Sequence, residues 1–158
     1  MAILTNVATG NWSSSSTWAE VEASTWSQTL ATQETGVTAL TLAYQAGTNF
    51  TVPTTQTLQG VLVKIGSRVT TAGNTCTLRI FNATAAAEVA GSVVTVDVLD
   101  MPNGISWVHF KFAAPITLNT ATNYNIQMLS NVASSASFHR KNATTANWTF
   151  GLVTTTAN

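Results

Sequence analysis

Apolar side chains recur at every second position along this chain, and that period leaves few architectures open. Val61, Val63 and Ile65 alternate with Leu62 and Lys64. Cys76, Leu78 and Ile80 alternate with Thr77, Arg79 and Phe81, and Val94, Val96 and Val98 with Val93, Thr95 and Asp97. Val108, Phe110 and Phe112 share one side of a further stretch, as do Tyr124, Ile126 and Met128, and finally Trp148, Phe150 and Leu152. A period of two sends successive side chains to opposite faces of an extended strand. Each stretch therefore reads as a strand with one apolar and one more polar face.

Composition agrees. The chain holds 29 Thr, 13 Ser and 13 Asn among 158 residues, and only 8% of residues are charged. Thr is β-branched and suits a half-buried pleated surface, while Asn and Ser suit turns. The Lys, Glu and Arg that commonly build helices are scarce.

The strand signals begin after residue 35. Leu40–Tyr44 alternates and reads as a first strand, Phe50–Pro53 as a short one stopped by proline. Residues 82–92 are small and mixed and read as a loop. Asp100-Met101-Pro102-Asn103-Gly104 is tight-turn chemistry, since Pro presets φ and Gly accepts a positive one. A hairpin pairing 93–99 with 105–112 is expected there. Pro115 is expected to separate that strand from Ile116-Thr117-Leu118. About eight short strands at this spacing predict an all-β fold, an antiparallel β-sandwich of jelly-roll type. Residues 1–35 lack the alternation and read as an irregular N-terminal arm, leaving 36–158 as the sandwich domain.

The charge pattern excludes some partners. Net charge is zero and the first 63 residues contain no Lys or Arg, whereas nucleic-acid binding needs clustered cations. A near-neutral surface permits close association between copies or with neighbouring proteins. The N-terminus, Met1 to Asn6, lacks the basic and apolar regions of a secretory signal, and no stretch has the length of an apolar membrane span. The expectation is synthesis in a cytoplasm and no membrane partner. Asn-x-Ser/Thr triplets at Asn11, Asn49, Asn82, Asn142 and Asn147 match what this composition yields by chance.

Catalytic groups are few. The carboxylates are Glu20, Glu22, Glu34, Glu88, Asp97 and Asp100. Asp97 and Asp100 are close in sequence but sit at a strand end running into a turn, where Asp usually caps. His109 and His139 have no metal-ligand spacing, and no Gly-x-Ser-x-Gly elbow or phosphate loop is present. Cys76 is the only cysteine and falls on the apolar side of its strand, which predicts a buried thiol and no disulfide. No catalytic residue, metal or cofactor is assigned.

The tryptophans carry more information. Trp12, Trp18 and Trp26 all fall in the arm, outside the strand-rich region. Three readings stand: the arm folds over its own sandwich and buries them, it docks on a neighbouring subunit through them, or they form a sugar-stacking platform.

Phe50-Thr51-Val52-Pro53, then 58–65 and 77–84, then Trp107–Phe112 with Pro115–Leu118 and Tyr124–Ile126 resemble small β-sandwich domains of tailed-bacteriophage virion proteins. Gly10-Asn11-Trp12-Ser13 with Thr17-Trp18 resembles a phrase near the start of phage surface proteins. The resemblance spans roughly residues 10–130. It implies a head decoration or cement protein, present in many copies on the virion, with the major capsid protein or other virion proteins as partners and a homo-oligomer as its form. Carbohydrate-binding modules share the same grammar, so a glycan-binding or host-adhesion module of a phage tail or fibre is the alternative.

Overall fold

The computed structural model describes residues 4–6, 18–20, 36–47, 49–140 and 148–155. Two five-stranded antiparallel sheets pack face to face as a β-sandwich. The strands are β1 (Leu4–Asn6), β2 (Trp18–Glu20), β3 (Gly36–Ala39), β4 (Gln45–Ala46), β5 (Gln56–Arg68), β6 (Thr75–Asn82), β7 (Ala87–Glu88), β8 (Val94–Asp97), β9 (Ser106–Leu118), β10 (Tyr124–Ser130), β11 (Ala136–Arg140) and β12 (Phe150–Thr154).

The first sheet runs β4-β10-β6, and β6 is flanked on its far side by β8 and then β7. In the second, β9 lies on one side of β5; β11 and β12 share the other side, with β3 outside β11. From β3 to β6 the chain changes sheet at every step, and it does so again from β8 through β11. The orders β3-β11-β5-β9 and β4-β10-β6-β8 are those of an eight-stranded jelly roll, so the expected architecture is the one observed. The four strands outside those eight are β1, β2, β7 and β12.

The alternation places the core as expected. Val61, Val63, Ile65, Cys76, Leu78, Ile80, Phe110, Ile126, Met128 and Phe138 are fully buried between the sheets. Phe110 and Phe138 lie 6.3 Å apart between ring centroids, and Phe50 bridges Phe150 and Tyr124 at 5.3 and 6.0 Å. Cys76 sits among them. Burial pushes its thiol up to about 12, so the thiolate that reacts is absent at neutral pH.

Five local expectations are corrected. Residues 93–99 and 105–112 do not form a hairpin: β8 pairs with β6 and β9 with β5, in opposite sheets. Turn chemistry at Met101–Gly104 is present, with Gly104 at φ 100°, but a turn signal does not choose between pairing within a sheet and crossing to the other. Leu40–Tyr44 is not a strand; it is the crossing from β3 to β4, with Leu40 buried and Leu42 65% exposed. Phe50 makes only an isolated bridge to Tyr124, and residues 82–92 contain the short strand β7.

Pro115 does not end β9. Leu58 pairs with Ile116 and Gly60 with Lys111, so Gln59 alone faces residues 112–115, a wide bulge. Proline is tolerated where the strand has left its ladder.

Of the arm predicted over residues 1–35, β1 and β2 pair antiparallel, with Leu4 opposite Glu20 and Asn6 opposite Trp18. The rest of that segment, including Trp12 and Trp26, lies outside the described residues.

Candidate functional site

One end of the sandwich gathers four connections. β5 ends there and β6 begins; β8 ends and β9 begins; β10 ends and β11 begins; β3 ends and β4 begins. Backbone bonds tie the loops together. Ser130 N–H donates to Thr41 O, Ser134 N–H to Leu40 O, Val69 N–H to Ser135 O, and Val98 N–H to Asn74 O. Asn131 accepts from Thr75 N–H through Oδ1 at 2.7 Å and donates to Gly73 O through Nδ2 at 2.8 Å. Arg68 Nε donates to Met101 O at 2.7 Å.

Among the described residues, the exposed large aliphatic side chains are Leu42, Val93, Leu99, Ile105 and Val132. All except Val93 sit on the loops of this end: Leu42 on β3–β4, Leu99 and Ile105 on β8–β9, Val132 on β10–β11. Ile105, at 69%, is the most exposed of them. Isolated exposed apolar residues are ordinary, but their segregation to one firmly bonded end is what an attachment surface requires.

A second cluster lies on the outward face of the first sheet. Arg79 lies over the Tyr44 ring, 3.7 Å from its centroid, with the Phe81 ring at 5.3 Å. Its Nε donates to Gln127 Oε1 at 2.8 Å and its Nη1 reaches Glu88 Oε2 at 3.3 Å. The register explains the grouping: Arg79 is opposite Gln127, and Phe81 lies between Asn125 and Glu88.

No group of three or more His, Cys, Asp or Glu side chains able to hold a metal ion occurs among the described residues. Asp97 Oδ1 accepts from Leu99 N–H at 2.8 Å, capping a 3-10 turn at Val98–Asp100 as its position predicted. No helix of the described residues is long and apolar enough to cross a membrane.

His109 has an exposed edge, but its ring packs against Gly60, where an added Cβ would meet Nε2 at 2.5 Å. That burial, and secondarily the Lys111 charge, lowers its pKa below the ordinary 6.5. His139 is half-buried. A hollow of about 260 Å³ opens at the β9 bulge, lined by Gln59, Lys111, Phe112, Ala113 and Pro115.

No protein-family model matches the chain, and no curated protein is similar to it. Of the three tryptophans singled out in the sequence, Trp18 begins β2, while Trp12 and Trp26 fall outside the described residues. The sequence reading missed the loop-end residues and the Arg79 cluster. The first had a signal: Ile105 and Leu99 are apolar residues inside a turn-rich stretch, where no strand period would bury them. The second had none, because Tyr44 and Gln127 are distant in sequence from Arg79.

Proposed function

We propose that this chain is a non-catalytic structural module of a virion, a decoration or cement protein of tailed-bacteriophage type. In this reading it attaches to the outer capsid surface through the loop end of its sandwich. The observation that carries the reading is the concentration of Leu42, Leu99, Ile105 and Val132 on that end. Burying apolar area contributes about 25 cal/mol per Å², so a few such side chains seated against a neighbour supply the core of an interface with a polar rim. Zero net charge removes repulsion between copies in a crowded lattice. Binding only to the assembled state stabilises that state by mass action.

The test uses particles prepared with and without the chain. Particles carrying it are expected to release their contents at a higher temperature. A Leu42→Ser/Ile105→Ser double variant is expected to bind bare particles at least tenfold more weakly, with the melting temperature of the free domain nearly unchanged. Equal release temperatures with and without the chain, or undiminished binding by the double variant, would refute attachment through this end.

A further inference from the structure

We infer that the outward face of the first sheet is a binding site for a neutral oligosaccharide, with Arg79, Gln127 and Glu88 as hydrogen-bonding groups and Tyr44 and Phe81 as stacking surfaces. The inference shares no residue with the loop-end reading, although Tyr44 closes the β3–β4 connection that carries Leu42.

Sugars without charge present two kinds of surface. Their ring C–H faces are apolar and pack on aromatic rings. Their hydroxyls each donate and accept, so they suit fixed planar groups that offer both functions side by side. The first sheet supplies both. Tyr44 and Phe81 flank a guanidinium, and on that guanidinium Nε and Nη1 are already committed to Gln127 and Glu88. Those two bonds use neither Arg79 Nη2, a donor, nor Glu88 Oε1, an acceptor. Gln127 is only 9% exposed, and the Arg79 and Glu88 side chains are 23% and 39% exposed. The groups are thus held by the sheet yet reachable, which reduces the ordering that binding must impose.

Asn125 adds a buried feature. It is 7% exposed, its Nδ2 donates to the exposed Asn49 at 3.1 Å, and its Oδ1 has no partner among the described residues. A buried acceptor without a donor is costly, and a hydroxyl entering beside Asn49 would satisfy it.

Charge selects the ligand class. Glu88 offsets Arg79, so the site offers no net attraction to phosphate or to acidic sugars, both of which need unopposed cations. An apolar peptide segment would bury these polar groups without replacing their bonds. A neutral saccharide meets neither penalty.

The experiment titrates the full chain with a panel of neutral gluco-, galacto-, manno- and N-acetylglucosamine trisaccharides, and with uronic-acid and sialylated counterparts, following backbone amide shifts. At least one neutral trisaccharide is expected to shift the amides of Tyr44, Arg79, Phe81 and Gln127 with a Kd of about 1 mM or tighter. Tyr44→Ala and Arg79→Lys are each expected to weaken that binding at least tenfold. Arg79→Lys keeps the charge and loses the planar fork, so it separates hydrogen-bond geometry from electrostatics. Ile105→Ser at the loop end is expected to leave it unchanged. The inference is overturned if no neutral member shifts those amides at about 10 mM, if the acidic sugars bind more tightly, or if folded Tyr44→Ala and Arg79→Lys proteins bind as well as the parent.

Discussion

The two sheets of this sandwich are held together differently. In the second sheet, β5 and β9 are each 13 residues long and pair over most of that length. Its cohesion comes from these long ladders, interrupted by the bulge between Leu58 and Gly60, and from the apolar side chains beneath them. The first sheet is built from shorter strands, and its outer edge along β6 is patched. β8 covers Thr75–Leu78 and β7 covers Phe81–Asn82, which leaves Arg79 and Ile80 between them, with the Ile80 backbone groups facing the gap. Ser92, fully buried, fills that gap: its Oγ accepts from Ile80 N–H at 3.0 Å and donates to Ile80 O at 3.1 Å, while Val89 N–H also donates to Ile80 O. A side chain thus stands in for a strand. Long strands make a sheet tolerant of single polar losses, whereas a patched sheet depends on individual side-chain bonds.

The largest effect that sharpens this contrast is expected beneath the long strands. Phe110→Ala removes a fully buried ring from β9 and is expected to cost about 3–5 kcal/mol, read from denaturant midpoints. Gly60→Ala, in the same sheet, would set a Cβ at 2.6 Å from the Phe110 carbonyl oxygen and 2.5 Å from His109 Nε2. The ring can turn aside but the backbone cannot, so a loss of about 1–3 kcal/mol is expected.

In the patched sheet, Ser92→Ala is expected to cost about 1–3 kcal/mol, because it orphans a buried backbone N–H. Faster amide exchange should be confined to the β6 edge around Ile80. Exchange that instead accelerates evenly through β5 and β9 would break the contrast. Arg79→Ala, on the outward face, removes a part-exposed ion pair and a ring contact, and about 1 kcal/mol or less is expected.

The smallest effect concerns pH. His109 resists protonation in the folded chain, so its contribution is present above about pH 6.5, the ordinary value, and is lost as pH falls below it. The melting temperature should decline less steeply between about pH 7 and 5 in His109→Gln than in the parent. Identical slopes would show that the ring's packing on Gly60 has no consequence for its titration.

The loop end and the Arg79 face differ in the same instructive way. The loop end presents apolar side chains on a bonded loop framework, which would attach by excluding water. The Arg79 face presents polar groups fixed by one another, which would bind by replacing water's hydrogen bonds. One chain carries both because a sandwich has ends and faces, and only its interior is committed to stability.

What the sequence determined by itself was the interior. Alternation at 61–65, 76–81 and 107–112 specifies which side chains turn inward, because a strand's period of two allows no other partition. It also placed Cys76 in the core and Asp97 at a cap, both of which depend on near neighbours in the chain. Tertiary structure alone decided what depends on distant partners. It sent β8 and β9 into opposite sheets, turned Leu40–Tyr44 into a crossing, and let Pro115 sit inside a bulged β9. It also gathered Leu42, Leu99, Ile105 and Val132 at one end and brought Tyr44 and Gln127 to Arg79. The physical reason is that local pattern fixes the faces of a strand, whereas which strand lies beside it is fixed only when both faces of the whole sandwich are covered at once.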